Sequence, residues 1–134
     1  MLQKSMGTTF SCTSDGNETV IGLLRSISEL KLDSEMLDTT TLDSEDGFRT
    51  YTQGARDAGE LTLEGYLSSA EAGQSLLRSL YLSGTAADFC ITFPDGQKAL
   101  FKALVKTVWL GGVQVDEPAG FGATLRLSGG VIVQ

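Results

Sequence analysis

Histidine is absent from this sequence. Its absence removes Ser-His-Asp and Cys-His nucleophile systems, and with them the commonest zinc ligand. Cysteine is scarce. Cys12 and Cys90 stand alone, without CxxC spacing, and two cysteines are too few for a disulfide framework. They are expected to be free thiols in a reducing compartment, buried as small hydrophobes. Only two prolines accompany 16 glycines, which points to many turns. Cations are short as well: 10 Lys and Arg against 17 Asp and Glu leave a net charge of −7. General nucleic-acid binding, which needs clustered Lys and Arg to displace counterions, is excluded on that ground. No apolar run approaches the roughly 20 residues of a membrane span. Residues 1–19 are polar and lack the apolar core of a signal peptide.

Carboxylates are plentiful but do not assemble into a recognisable centre. Glu60 and Glu64 share one face of a strand, yet four residues at ~3.3 Å place them about 13 Å apart. Paired glycosidase carboxylates stand roughly 5–9.5 Å apart. The run Asp43-Ser44-Glu45-Asp46-Gly47 begins like a calcium loop, but its Gly47 falls fifth and Gly54 twelfth, where an EF-hand needs Gly sixth and Glu twelfth. Gly120-Phe121-Gly122 lacks the third glycine of a dinucleotide loop and leads into a strand. No enzyme activity, cofactor or metal is expected.

What is present is the raw material of one domain. At 134 residues and 41% hydrophobic content, the chain can bury roughly two-thirds of its unfolded surface without staples. Strand signals fall at residues 8–13, 19–27, 35–42, 57–67, 87–93, 98–110 and 120–128. For 19–27, a short helix over 23–30 competes, and periodicity alone does not decide between them. Residues 57–67 alternate cleanly, with Leu61, Leu63 and Leu67 on one face and Glu60, Thr62, Glu64 and Tyr66 on the other. Phe101, Ala103, Val105 and Trp109 are expected to share a face, as are Phe121, Ala123, Leu125 and Leu127. One helix is expected over about 69–83, opened by a Ser68–Glu71 capping box and closed by Gly84. Ala72, Leu76, Leu77 and Leu80 form its apolar stripe. The sum is a mainly β fold, an antiparallel sandwich or barrel of about seven strands with one flanking helix. Residues 1–7 and 130–134 are expected to be mobile.

Between the early strands lies a long polar loop, about residues 43–57, without helical periodicity. Loops of that length inside a domain are usually functional or disordered. This one carries Phe48 and Tyr51 among charges, and aromatics on a polar loop suggest burial against a partner.

The ordered series Thr40-Thr41-Leu42-Asp43-Ser44, Gly47-Phe48-Arg49, Gly54, Asp57-Ala58-Gly59-Glu60 and Glu64-Gly65 resembles the major tail tube proteins of long, non-contractile-tailed bacteriophages. The helix with Leu76-Leu77, the Phe93-Pro94-Asp95-Gly96 turn and the strands over 98–110 and 121–127 follow in the family's order. The resemblance spans roughly residues 20–129, and the wider fold is similar to that of contractile-tail and type VI secretion tubes. It implies a β-sandwich with a flanking helix, forming hexameric rings that stack into the virion's tail tube, through which DNA leaves. It implies assembly in the host cytoplasm and tape measure, terminator and distal tail proteins as partners. The long loop would then reach a neighbouring subunit through Asp43, Gly47, Phe48, Arg49, Tyr51, Gly54, Arg56 and Asp57. Glu60, Thr62 and Glu64 become candidates for the channel wall, where acidic groups would repel DNA phosphates. The alternatives are a tail-terminator or head–tail joining ring, or a non-polymerising β-sandwich that binds a ligand.

Overall fold

A computed structural model describes Leu2 and residues 5–134. Met1, Gln3 and Lys4, part of the segment expected to be mobile, lie outside the described residues. The elements run β1 (Thr9–Ser14), β2 (Asn17–Val20), β3 (Leu24–Ile27), β4 (Asp33–Asp38), β5 (Tyr51–Asp57), β6 (Glu60–Tyr66), α1 (Ala72–Ser83), β7 (Ala87–Thr92), β8 (Lys98–Gly111) and β9 (Gly120–Val133). Seven strands form one antiparallel sheet in the order β2-β1-β7-β8-β9-β6-β3, and β4 pairs with β5 as a separate two-stranded sheet. The mainly β, antiparallel class with one helix is as expected, as a curled sheet rather than two stacked ones.

The curl follows from the chain itself. β2 and β3 are opposite edges of the sheet, yet only residues 21–23 separate them. Four residue steps span at most about 14 Å, whereas six interstrand spacings would put the edges of a flat sheet about 29 Å apart. The sheet therefore bends into a half-barrel, and the 19–27 segment is neither one strand nor a helix. Leu23, at φ 61°, makes the break. Gly65 allows it, because a Cβ there would overlap the Leu23 carbonyl.

The concave face is the core. Phe10, Phe89 and Phe101 from three adjacent strands pack with ring centroids 5.6 to 6.2 Å apart. Leu61, Leu63, Phe121, Ala123 and Leu125 continue the layer across β6 and β9, as their alternation predicts. α1 closes it with Leu77 and Leu80. Its backbone sits directly on the β2–β3 link at Gly73, where a Cβ would come within 2.6 Å of the Ile21 Cα.

Three local expectations change. The Ser68–Glu71 capping box does not form: the helix begins at Ala72 without a side-chain cap. Ser68 Oγ instead accepts the Ala70 N–H, and Glu71 reaches across to accept the Gly22 N–H at 3.2 Å. The buried Gln74 amide then ties the helix to the end of β6, donating to the Tyr66 carbonyl and accepting the Ser68 N–H. At the other end Gly84 closes the helix in a left-handed conformation, φ 67°, as expected. A register shift between Val105 and Thr107 inverts the alternation of β8. Trp109 thereby leaves the face of Phe101 and lies across Gly122 on the convex side. Residues 130–134, expected as a mobile tail, instead extend β9 along β8, with Val131, Ile132 and Val133 opposite Phe101, Leu100 and Ala99.

Cys12 pairs with Phe89 across the ladder and points into the core, while Cys90 pairs with Ser11 and points out. Burial, with the negative charge of Asp88, pushes the Cys12 thiol up to about 11. Both thiols are free, and the sheet separates them. A native mass measurement is expected to show two reduced cysteines, with Cys12 unreactive to a thiol reagent near pH 8 until the protein is unfolded. A Cys12–Cys90 bridge would contradict this placement.

Candidate functional site

The long loop expected over 43–57 is in large part strand. Tyr51, Gly54, Arg56 and Asp57 lie in β5, paired with β4 through Asp33–Asp57, Ser34–Arg56, Met36–Gln53, Leu37–Thr52 and Asp38–Tyr51. Asp43, Gly47, Phe48 and Arg49 belong to the tip that joins the two strands. The whole is a β-hairpin arm. Of its two strands the sequence signals only the first, expected over 35–42; β5 falls within the stretch expected as loop. The Met36-Leu37 pair before the tip and Tyr51-Thr52 after it were the available signal.

Local polar groups shape the tip. Thr50 N–H donates to Thr40 Oγ1 at 2.8 Å, and Thr39 N–H to the Thr50 carbonyl at 2.9 Å. Asp46 accepts the Phe48 N–H at 3.0 Å, across Gly47 at φ 72°. Arg49 pairs with Asp38 at 3.2 Å. Hydrogen bonds hold four arm carboxyls below the usual range: Asp38 by Thr40 and then Arg49, Asp43 by Thr41, Asp46 by Phe48 and then Ser44, Asp57 by Gly59 and then Arg126. Whatever these contacts contribute to the arm is present above the ordinary carboxylate range and lost as pH falls through the depressed values. At its base the arm is fastened to β9 by the Asp57–Arg126 ion pair at 2.7 Å and by Leu127 N–H donating to the Gly59 carbonyl.

Beyond that base the arm buries almost nothing. Phe48 is 73% exposed and Tyr51 55%, and Met36, Leu37 and Leu42 are exposed beside them. A lone two-stranded hairpin is marginal in water, and large apolar side chains held out on both of its faces mark a surface that favours contact. The arm is also where the negative charge gathers, with Asp33, Glu35, Asp38, Asp43, Glu45, Asp46 and Asp57 against Arg49 and Arg56.

Two further surfaces accompany it. Between the edges of the half-barrel runs a recess of about 730 Å³ with a mixed lining, Phe10, Ile91, Phe93 and Ala99 along it and Leu23 to Leu30, with Arg25 and Glu29 among them, as one wall. Sequence patterning did not reveal it, because it exists only once the sheet curls. The convex face of the sheet is open and carries Glu60, Thr62 and Glu64, as the alternation of β6 predicts. It is not uniformly acidic. Glu60 bonds Lys106 at 2.7 Å, and Lys102 and Arg126 share the face with Glu64 and Asp88. Among the described residues no cluster of His, Cys, Asp and Glu could hold a metal ion, and no helix is long and apolar enough to cross a membrane.

A curled antiparallel sheet closed by one helix, with an acidic hairpin arm that exposes aromatic side chains, suits a building block. Residues 1–129 match the family described as lambda phage tail tube protein. The chain belongs to that family. This tail tube protein is thus a structural component of a phage or phage-like particle tail. Its fold is similar to a chain in the tail of an empty gene transfer agent particle refined with C6 symmetry, at TM-score 0.81 and 19% identity over 99% of both chains. It is also similar to the SPP1 tail tube, at TM-score 0.74 and 12% identity over 98% of this chain and 78% of that one. A third likeness is to the sheath–tube complex of the PVC extracellular contractile injection system, at TM-score 0.74 and 14% identity over 99% and 91%. The comparison with curated proteins gives no match.

Proposed function

We propose that this tail tube protein assembles into stacked hexameric rings whose channel passes DNA, with each arm packed on a neighbouring subunit. The observation that carries the reading is the arm, an ordered hairpin that holds Phe48, Tyr51, Leu37 and Met36 away from its own core. The recess between the sheet edges, with the half-exposed Leu23 on its wall, is the surface of the body proposed to receive such an arm. Asp43, Gly47, Phe48 and Arg49 at the tip, and Tyr51, Gly54, Arg56 and Asp57 on β5, are the contacting and shaping residues. Six-fold symmetry is supported by the likeness to the gene transfer agent tail. The reading is structural and involves no catalysis. Its partners are further copies, the tape measure, terminator and distal tail proteins, and its assembly takes place in the host cytoplasm.

The convex face, with Glu60, Thr62 and Glu64, is assigned to the channel. It deters DNA by balance rather than by acidity, since its Lys106 and Arg126 are held in ion pairs with Glu60 and Asp57. With a net charge of −7 and two of the cations on this face held in ion pairs, the protein has few counterions to release from DNA. Duplex DNA is expected to show no gel shift at near-physiological salt and micromolar protein. A salt-sensitive shift would contradict the channel assignment.

A second reading, a ring that ends the tube, is supported by the likeness to a PVC sheath/tube terminator assembly, at TM-score 0.75 and 13% identity. Sedimentation and negative-stain imaging over a concentration series separate the two. Open-ended tubes that lengthen with concentration are expected here, and rings that never stack at any concentration would favour the terminator.

A further inference from the structure

Resting on the stacked-ring reading, we propose that the two ends of the β8–β9 hairpin form the ring-to-ring contact, the loop over 112–119 of one copy docking on the Lys98–Val133 end of a copy in the next ring. The two ends are fixed by register. Gly111 lies opposite Gly120 at one end and Ala99 opposite Val133 at the other, on the order of 40 Å apart along strands of this length.

At the loop end the chain holds apolar side chains clear of its own body. Val113 is 77% exposed and Val115 103%, on a turn whose shape is kept by the Gln114–Glu117 bridge. Asp116 and Glu117 follow on the same turn, and among the described residues neither forms an ion pair. At the far end Ile132 and Val133 are each more than half exposed. Beside them stands Lys98, exposed and likewise without an ion pair among the described residues; its N–H donates to the Gln134 carbonyl. Asp95 in the neighbouring turn accepts the Gln97 N–H.

Two valines with two carboxylates at one end thus face an isoleucine, a valine and an ammonium at the other. The two patches differ and are complementary, so neither suits a contact with the same patch of another copy. With the patches at opposite ends of the same strand pair, copies in one orientation join them head to tail, and where the rotation does not close into a ring such a contact propagates as a stack. The contact is separate from the arm, so rings and stacking fail independently.

The test is a charge exchange in the full chain, read by mass photometry and negative-stain imaging. Asp116→Lys with Glu117→Lys, and separately Lys98→Glu, are each expected to leave single rings and raise the concentration needed for tubes by about tenfold or more. All three changes together are expected to restore tubes. Val113→Ser with Val115→Ser, which leaves the charges alone, acts in the same direction. Tubes at the wild-type concentration from either charge variant overturn the proposal. So does a combined variant that stays as single rings, or natively folded variants that form no rings, since the patch would then be lateral. Wild-type protein that forms neither rings nor tubes overturns the stacked-ring reading itself.

Discussion

Replacing the arm, residues 33–56, with a short Gly/Ser turn is expected to leave a folded subunit that makes no tubes. No residue of that segment belongs to the buried core, and Asp57, which fastens the arm's base to Arg126, is retained. Loop length alters closure entropy only slowly, about 0.6 kcal/mol for each doubling, so the half-barrel loses little. On the proposed reading, assembly loses the apolar contact that Phe48 and Tyr51 supply. Phe48→Ala with Tyr51→Ala should act in the same direction. Full burial of each aromatic is worth roughly 2–3 kcal/mol, which raises the concentration needed for assembly by at least about tenfold. Circular dichroism reports the fold, and sedimentation reports the tubes. A folded, arm-less protein with normal tubes would make the arm a spacer. An unfolded one would make it part of the subunit's own stability.

Phe89→Ala is expected to cost about 3–5 kcal/mol, the range for truncating a buried aromatic. Phe89 sits between Phe10 at 5.6 Å and Phe101 at 6.0 Å, on the central strands of the sheet, where neighbours cannot collapse into the space. Domains of this size are stable by only about 5–15 kcal/mol, so the variant should lose a large share of that margin. The measurement is a denaturant midpoint on the arm-less subunit, where assembly adds nothing to stability. A change under about 1 kcal/mol would mean that the three rings do not form a close-packed cluster.

These two results bear on parts of the molecule that were unequally legible beforehand. Strands that bury one face announced themselves. Leu61 and Leu63, Phe89 and Ile91, and Phe121 to Leu127 alternate with polar residues and occupy the concave face. Long-range geometry left no such trace. The break at Leu23 is needed because β2 and β3 are opposite edges of one curled sheet, a fact that no window of residues contains. The inversion at Trp109 comes from one unpaired residue in β8, which hydrophobic alternation cannot locate. Glu71 sits where a capping box requires it but bonds Gly22, far away in sequence. The arm was half legible. Phe48 and Tyr51 drew attention as aromatics among charges, but both faces of β4 and β5 are exposed within the subunit. A strand with no buried face shows no period-2 pattern, so β5 read as loop.

The most direct measurement is an electron cryo-microscopy reconstruction of tubes grown from the purified protein. The expected map shows six-fold rings, with Phe48 and Tyr51 of each arm buried against a neighbouring subunit and Glu60 and Lys106 facing the channel. A tube whose arms lie free in solvent or fold back on their own subunit would contradict the account at its centre.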